Sequence, residues 1–503
     1  ARQYGYKPSY IQIEGLELRN ANQLNTFTDA RGTTRRYTPH AASVFVERGE
    51  HITIRNCILT GSGNGLFVAS GDEEASLKGY FAEGYTGEGF DTWLLLANPG
   101  SEEARVEVSY LLEGGSPVTE EYAISPNSRF TVKVNDVEGV GRGGVGISYR
   151  SLNGVPVAAE RAVYFDYRGI IDGHCSQAVE EVSTHLYLAE GYTGKDFDTW
   201  ILLANPNPDP AEVEVACLVQ GGRNVSTVRE VAPHSRLTIN ARELVDDASF
   251  GVAIDSRNGV GIVAERAMYF RYHGAIGGGH CSAAVRGPAR TMYLAEGYTG
   301  GDFDTWILIQ NPNQSDAVAH CRFFTPDGEP ITWDVPLQGE TRTTVFLNTI
   351  PGLEKKEVAA EVTCEGEGII AERAMYFSYD SGQGKRAGGH ATIGADRPNW
   401  SWYLPEGYTG GGFDTYVLLM NPGEEDAENV HVKLMKPQDG RYYMFKTSVP
   451  AGRRRTIKLD ELVWTEGQEN FIPATGEGGG EEPEQVRFDD TDVSTYICSD
   501  KPL

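Results

Sequence analysis

The sequence predicts an all-β protein: a short parallel β-helix segment followed by four tandem antiparallel β-sandwich domains, the last incomplete. Three observations predict it. The block YFAEGYTGEGFDTWLLLANP, Tyr80 to Pro99, returns in near copies at Tyr187, Tyr293 and Tyr403, at spacings of 107, 106 and 110 residues. That period is too long for a solenoid coil and fits one small sandwich. Within a copy, Ala104, Val106, Val108 and Tyr110 alternate with Arg105, Glu107 and Ser109, the pattern of a strand buried on one face. Asn98-Pro99, Asn205-Pro206, Asn311-Pro312 and Asn421-Pro422 then end one strand in every copy, because proline cannot continue a ladder and asparagine favours a turn.

Residues 1–79 follow another rule. Ile11, Ile13, Leu16 and Leu18 recur at a shift of 41 as Ile52, Ile54, Cys57 and Leu59, and Val44-Phe45-Val46 recurs at a shift of 22 as Leu66-Phe67-Val68. A 22-residue coil explains both if the larger shift contains a 19-residue insertion, which places Gln23 to Ala41 on a protruding loop. The stretch SVFVERGEHITIRNCILTGSGNGLFV resembles right-handed parallel β-helices of the pectin-lyase-like superfamily. That resemblance implies binding or cleavage of polysaccharides. Stacked coils need about three repeats or more to bury a continuous core, so this segment is expected to continue before Ala1 or to rest on something else.

The copies run 80–186, 187–292, 293–402 and 403–503, with about seven short strands each expected from the pattern. The Gly-Tyr-Thr-Gly step supplies a tight turn or bulge before Phe-Asp-Thr-Trp, and Trp93, Trp200 and Trp306 are expected in the core. A second block closes the first three copies: Glu160 to Phe165, Glu265 to Phe270 and Glu372 to Phe377. Copy four has no such block, because the sequence stops at Leu503 before the Glu-Arg pair falls due. It is therefore expected to lack its last strand, to expose an open edge, and to invite strand exchange with another copy of the chain. The Gly- and Glu-rich insertion Thr465 to Gln485 cannot bury a core and is expected to be a mobile loop. LAEGYTG, FDTWILL, AERAMYF and GGH are similar to repeats of an uncharacterised sandwich family of secreted or surface proteins of bacteria. The similarity implies a place outside the cytoplasm and no reaction.

Composition narrows the partners. Lys and Arg number 44 against 71 Asp and Glu, a net charge of −27 that repels phosphate backbones and anionic lipid. Neither nucleic-acid binding nor membrane insertion is expected; polysaccharide or another surface protein is.

Chemistry has few places to sit. Asp29, Arg31, Arg35, Arg36 and His40 lie together on the predicted loop, and uronate lyases need cations and a base; a solvated charged loop is the competing reading. His174, His280 and His390 recur at one position after glycine, but no second His or Cys stands near at ligand spacing, so structural histidines are expected and no metal or cofactor. Gly139-x-Gly141-x-x-Gly144 opens no helix and reads as a turn, not a dinucleotide site. Cys217 and Cys321 replace core-facing residues and read as buried thiols. Arg161, Arg266 and Arg373 share a strand face with apolar neighbours. Each is expected to be buried and paired with a carboxylate of its own copy, either Glu83, Glu190 and Glu296 or Asp91, Asp198 and Asp304.

Two function classes follow. The first is a non-catalytic extracellular or cell-surface array serving as stalk, adhesive or spacer. The second is the C-terminal part of a polysaccharide-active β-helix enzyme, lyase or hydrolase, with the sandwiches as accessory domains.

Overall fold

Strands dominate the described residues, and the computed structural model describes residues 76–380, 385–411, 413–437, 442–465 and 485–503, together with the backbone of the strands within 12–69 and at 471–472. Two units separate, Ala1–Glu73 and Glu74–Leu503.

In the first unit Gln12–Glu14 pairs parallel with Thr53–Arg55, and Glu17–Arg19 with Ile58–Thr60. Ile13 faces Ile54 and Leu18 faces Leu59, the shift of 41 read from the sequence. Ala42–Glu47 lies parallel to Asn64–Ala69 with Val44 opposite Leu66, the shift of 22. Thr26–Thr28 and Thr34–Arg36 form an antiparallel pair inside the insertion.

In the second unit each of the first three copies builds two four-stranded antiparallel sheets. In copy one they run Ser128–Lys133, Phe90–Asn98, Ala158–Tyr167, Ile170–Gln177 and Val118–Ile124, Ala104–Leu112, Val145–Ser151, Lys78–Phe81. Leu94 and Leu96 of one sheet meet Val106, Val108, Tyr110 and Ile147 of the other in a sealed core. Cys217 and Cys321 sit in the corresponding cores of copies two and three. A copy thus has eight strands rather than about seven. The extra one is the glycine-rich segment around the recurrent histidine, which pairs because its glycines make room for rings: a Cβ on Gly173 would lie 2.7 Å from Tyr164, and one on Gly279 3.0 Å from Tyr269.

The recurrent polar residues are fasteners. Thr92, Thr199, Thr305 and Thr415 each donate the hydroxyl to the tyrosine carbonyl of the Gly-Tyr-Thr-Gly step and accept that tyrosine's N–H. Each asparagine of the Asn-Pro pairs donates Nδ2 to the carbonyl four residues on; Asn205 reaches Asp209 at 2.8 Å and also Val231 at 3.1 Å. Asn205 is fully buried, so Asn205→Ala is expected to strand buried carbonyls and lower unfolding free energy by about 1–3 kcal/mol. Urea unfolding of the variant checks this, and a change below about 0.5 kcal/mol would contradict it. The glycine triad at 139, 141 and 144 forms the turn between the short helix Val134–Asp136 and strand Val145–Ser151, with no helix after it.

The copies touch in cyclic order. Arg236 of copy two donates to the Gly84 carbonyl of copy one at 3.0 Å, and Arg342 of copy three to the Gly191 carbonyl of copy two at 2.8 Å. Arg454 of copy four pairs with Glu357 of copy three at 2.9 Å, and Arg129 of copy one closes the circle on Glu406 of copy four at 3.0 Å. Copy four differs: its sheets run Ser401–Leu404, Ser494–Cys498, Ala427–Met435, Tyr442–Val449, Phe471–Ile472 and, separately, Tyr416–Asn421 with Arg453–Lys458. The strands equivalent to Ala158–Tyr167 and Ile170–Gln177 have no counterpart among its described residues.

Candidate functional site: the buried junctions between copies

A charged row inside an apolar strand needs partners, and the junctions supply them. Arg161 is fully buried. It donates to Glu265 of copy two at 3.0 Å and lies 3.7 Å from Glu83 of its own copy. Arg266, also fully buried, donates to both carboxylate oxygens of Glu372 of copy three at 3.2 and 3.3 Å. Arg373 alone takes its nearest carboxylate within its own copy, Glu296 at 2.7 Å. The own-copy expectation is therefore corrected for Arg266; for Arg161 the own-copy Glu83 stands at 3.7 Å as the farther partner, while the hydrogen bond goes to Glu265 of copy two. The physical reason is the loop before each Phe-Asp-Thr-Trp strand. Ala82 and Glu83 point their N–H groups at Glu265 at 2.8 and 2.7 Å, and Glu190 does the same to Glu372, so the neighbour's carboxylate is clamped where the arginine reaches it.

The aspartate alternative is corrected too. Asp91 pairs with Lys133 at 3.0 Å; Asp198 accepts from Tyr167 at 2.9 Å and Asp304 from Tyr272 at 2.8 Å. The last two are again bonds from one copy to the next. Trp93, Trp200 and Trp306 are half-buried rather than core. Trp200 lines a groove of about 450 Å³ at the first junction with Tyr85, Phe90, Tyr167, Tyr269 and Arg236.

The recurrent histidines complete the clusters. The Nδ1 atoms of His174 and His280 lie 3.3 Å from Arg161 and Arg266, and His390 lies 3.0 Å from Arg373 and 2.9 Å from Glu296. Burial, reinforced by the adjacent guanidinium groups, holds His174 and His280 well below the usual imidazole range. Burial would push Glu265 up, but Arg161 and the Glu83 N–H overcome it and hold that carboxyl below its ordinary value. Glu83, less well served, is raised by burial. Cys281 accepts from Arg161 at 3.2 Å, yet burial and the neighbouring carboxylate push its thiol well up, so it is a neutral packing group and no nucleophile. No group of three or more metal-ligating side chains occurs among the described residues.

Arg35 and Arg36 lie on strand Thr34–Arg36 opposite Phe27 and Thr26, while Asp29, Arg31 and His40 fall outside the described residues, as does most of the insertion 465–485. Sequence reasoning missed Arg129, Arg236, Arg342 and Arg454, all nearly sealed from solvent. Their recurrence at one position in all four copies was the available signal.

No protein-family model matches the chain, and no curated protein does. Among solved structures, "Crystal Structure of Thermotoga maritima 1070" is 21% identical over 21% of this chain and 96% of its own, with a TM-score of 0.20. "Anabaena sensory rhodopsin transducer" is 21% identical over 18% of this chain and 98% of its own, TM-score 0.16. "Crystal structure of tetra-tandem repeat in extending region of large adhesion protein" is 9% identical over 80% of this chain and 92% of its own, TM-score 0.09. Likenesses this weak carry no argument about function.

Proposed function

We propose that the chain is a non-catalytic extracellular or cell-surface scaffold, a stalk, adhesive or spacer in which the tandem copies lock one another into a closed ring. The observation that carries this reading is that the buried arginines, carboxylates and histidines of the junctions spend their hydrogen bonds on one another and on backbone groups between copies. Groups fixed and sealed in this way hold a structure together; a general acid or base must instead reach a substrate proton. We read the repeat boundaries as 80, 187, 293 and 403, with each copy one sandwich, and residues 12–69 as coils of a parallel β-helix, on the strength of the parallel registers at 41 and 22. Polysaccharide or another surface protein is the partner class that suits an acidic body of this kind.

The same parallel registers favour a second reading, the end of a polysaccharide-active β-helix enzyme. One experiment separates the two. The whole chain is incubated with pectin, alginate and other uronate polymers and assayed for new reducing ends and unsaturated products. No product is expected. Turnover that disappeared in Arg35→Ala or His40→Ala would replace the scaffold reading by the enzymatic one.

A further inference from the structure

The groove at the first junction has aromatic walls held in place by polar bonds. Thr92 donates its hydroxyl to the Tyr85 carbonyl at 2.7 Å and accepts the Tyr85 N–H at 3.1 Å, and the Tyr85 ring meets Phe90 edge-on at 5.0 Å. Tyr167 stacks on Tyr269 of the next copy at 4.3 Å, and its hydroxyl is tied to Asp198 at 2.9 Å. Trp200 adds a further ring to the lining. Rings fixed in this way lose little freedom when a ligand arrives. At about 450 Å³ the groove falls in the range of about 300–1,000 Å³ that small-molecule sites occupy.

One guanidinium in the lining is incompletely used. Arg236 is 3% exposed and donates through Nη1 to the Gly84 carbonyl at 3.0 Å, while its Nε and Nη2 meet no hydrogen-bond partner among the described residues. The Nη2 atoms of its counterparts are all served: Arg129 donates to Glu406 at 3.0 Å, Arg342 to Thr344 at 2.8 Å and Arg454 to Thr456 at 3.2 Å. The difference has a local cause. Thr238, the match of Thr344, is held by Glu113 of copy one through its N–H at 3.2 Å and its hydroxyl at 2.8 Å. At the second junction Gln220 stands in place of Glu113 and accepts the Thr344 hydroxyl at 2.8 Å, while that oxygen accepts from Arg342. A second buried polar atom of the groove, Oε2 of Glu83, also lacks a hydrogen-bond partner among the described residues, and Arg161 stands 3.7 Å from it. A ligand that bonds to both uses what the protein leaves unspent.

We propose that this groove is a binding site for a short neutral saccharide, one sugar face lying against the Tyr85 and Trp200 rings while its hydroxyls accept from Arg236 and donate to Glu83. A free donor beside a free acceptor suits a ligand that accepts and donates at adjacent atoms, as vicinal hydroxyls do. The aromatic walls suit an apolar C–H face on the same ligand. Charge argues for neutrality. Glu83, Glu88 and Asp166 line the groove with Arg168 and Arg236, and the chain as a whole carries −27, so a uronate or a phosphorylated sugar is repelled. A peptide fits less well, because the strand at the groove, Phe90–Asn98, is paired on both sides and offers no edge to another main chain. The inference deepens the scaffold reading and rests on its assignment of polysaccharide as the partner class.

The test uses the whole chain, titrated calorimetrically with cellotriose, maltotriose, mannotriose, lactose and N,N′-diacetylchitobiose, and with trigalacturonate as the charged comparison. At least one neutral saccharide is expected to bind saturably at one site per chain, with new hydrogen-exchange protection at residues 83–90 and 166–168. Tyr85→Ala, which removes a ring already 40% exposed, and Arg236→Gln are each expected to weaken that binding about ten- to hundredfold. Tyr192→Ala, the matching change at the second junction where Arg342 is satisfied, is expected to leave it unchanged. Arg236 also ties Gly84, so Tyr85→Ala carries the test if Arg236→Gln fails to fold. Absence of saturable binding across the neutral panel overturns the proposal, as does tighter binding of trigalacturonate or undiminished affinity in Tyr85→Ala. The scaffold reading fails by a different result: turnover of uronate polymers that depends on Arg35 or His40 ends it and leaves saccharide binding in the groove intact.

Discussion

Replacing Arg266 by methionine while Glu372 stays in place is expected to lower the unfolding free energy of the second unit by about 3–5 kcal/mol. Both side chains are fully sealed from solvent and 3.2 Å apart, so the change leaves a buried carboxylate facing apolar surface. It also removes the partner of His280 and Ser282. The mirror variant, Glu372→Gln, keeps volume and a carbonyl acceptor for Arg266 and the Glu190 N–H; its expected cost is smaller. The double variant Arg266→Met with Glu372→Leu removes both charges together and is expected to recover much of the loss, because a buried pair exchanged for packed apolar groups is often near neutral. Urea unfolding of the set gives the cycle. For contrast, Arg105→Ala breaks a pair whose members are 59% and 57% exposed and is expected to cost no more than about 1 kcal/mol. If Arg266→Met cost as little as Arg105→Ala, the junction would be decoration rather than a weld.

How much of this was legible follows from what repetition can and cannot carry. The copy spacing, the alternation around Val106 and the two parallel registers are local or periodic properties, and the pairings of Ile13 with Ile54 and Val44 with Leu66 follow from matching apolar residues between parallel strands. The burial of Arg161, Arg266 and Arg373 was legible because a charge in an apolar row has no solvent to face. Their partners were not. Glu83 and Glu265 belong to recurring motifs of equal standing, and which carboxylate each arginine takes depends on how one copy turns against the next. A sequence read copy by copy holds no such information; the clue lay in the arginine shared by Arg129, Arg236, Arg342 and Arg454, whose role appears only once copies touch. The tryptophans failed for the same reason. An aromatic suited to a sandwich core is equally suited to a groove between sandwiches, and Trp200 takes the groove.

Asp172→Asn is expected to stabilise the protein at neutral pH and to lose that advantage in acid. Asp172 occupies the position filled by glycine in copies two and three, and only one of the three positions can carry a side chain. A Cβ on Gly278 would fall 2.5 Å from the Asp172 carboxylate and one on Gly388 3.2 Å from it. The carboxylate accepts the Gly279 N–H at 3.1 Å, but no cation among the described residues pairs with it, and burial pushes its pKa up from 3.8 to about 6 against the pull of two backbone N–H groups. An acid whose folded value is raised holds its proton longer folded than unfolded. Its favourable contribution is therefore complete below about pH 4 and is lost as pH rises through 6, a swing of about 3 kcal/mol. Asparagine resembles the protonated acid at every pH and keeps an acceptor for Gly279. The stability difference between variant and parent should accordingly be small near pH 4 and grow to about 3 kcal/mol by pH 8. His174 and His280 act in the opposite sense, since folded values held well below 6.5 make stability fall as pH drops through that point, but they are common to both proteins and cancel in the difference. Urea unfolding at pH 4, 5, 6, 7 and 8 measures it. Parallel stability curves for the two proteins would mean that Asp172 is ionised without penalty, and that the carboxylate set among the glycine-rich strands is solvated after all.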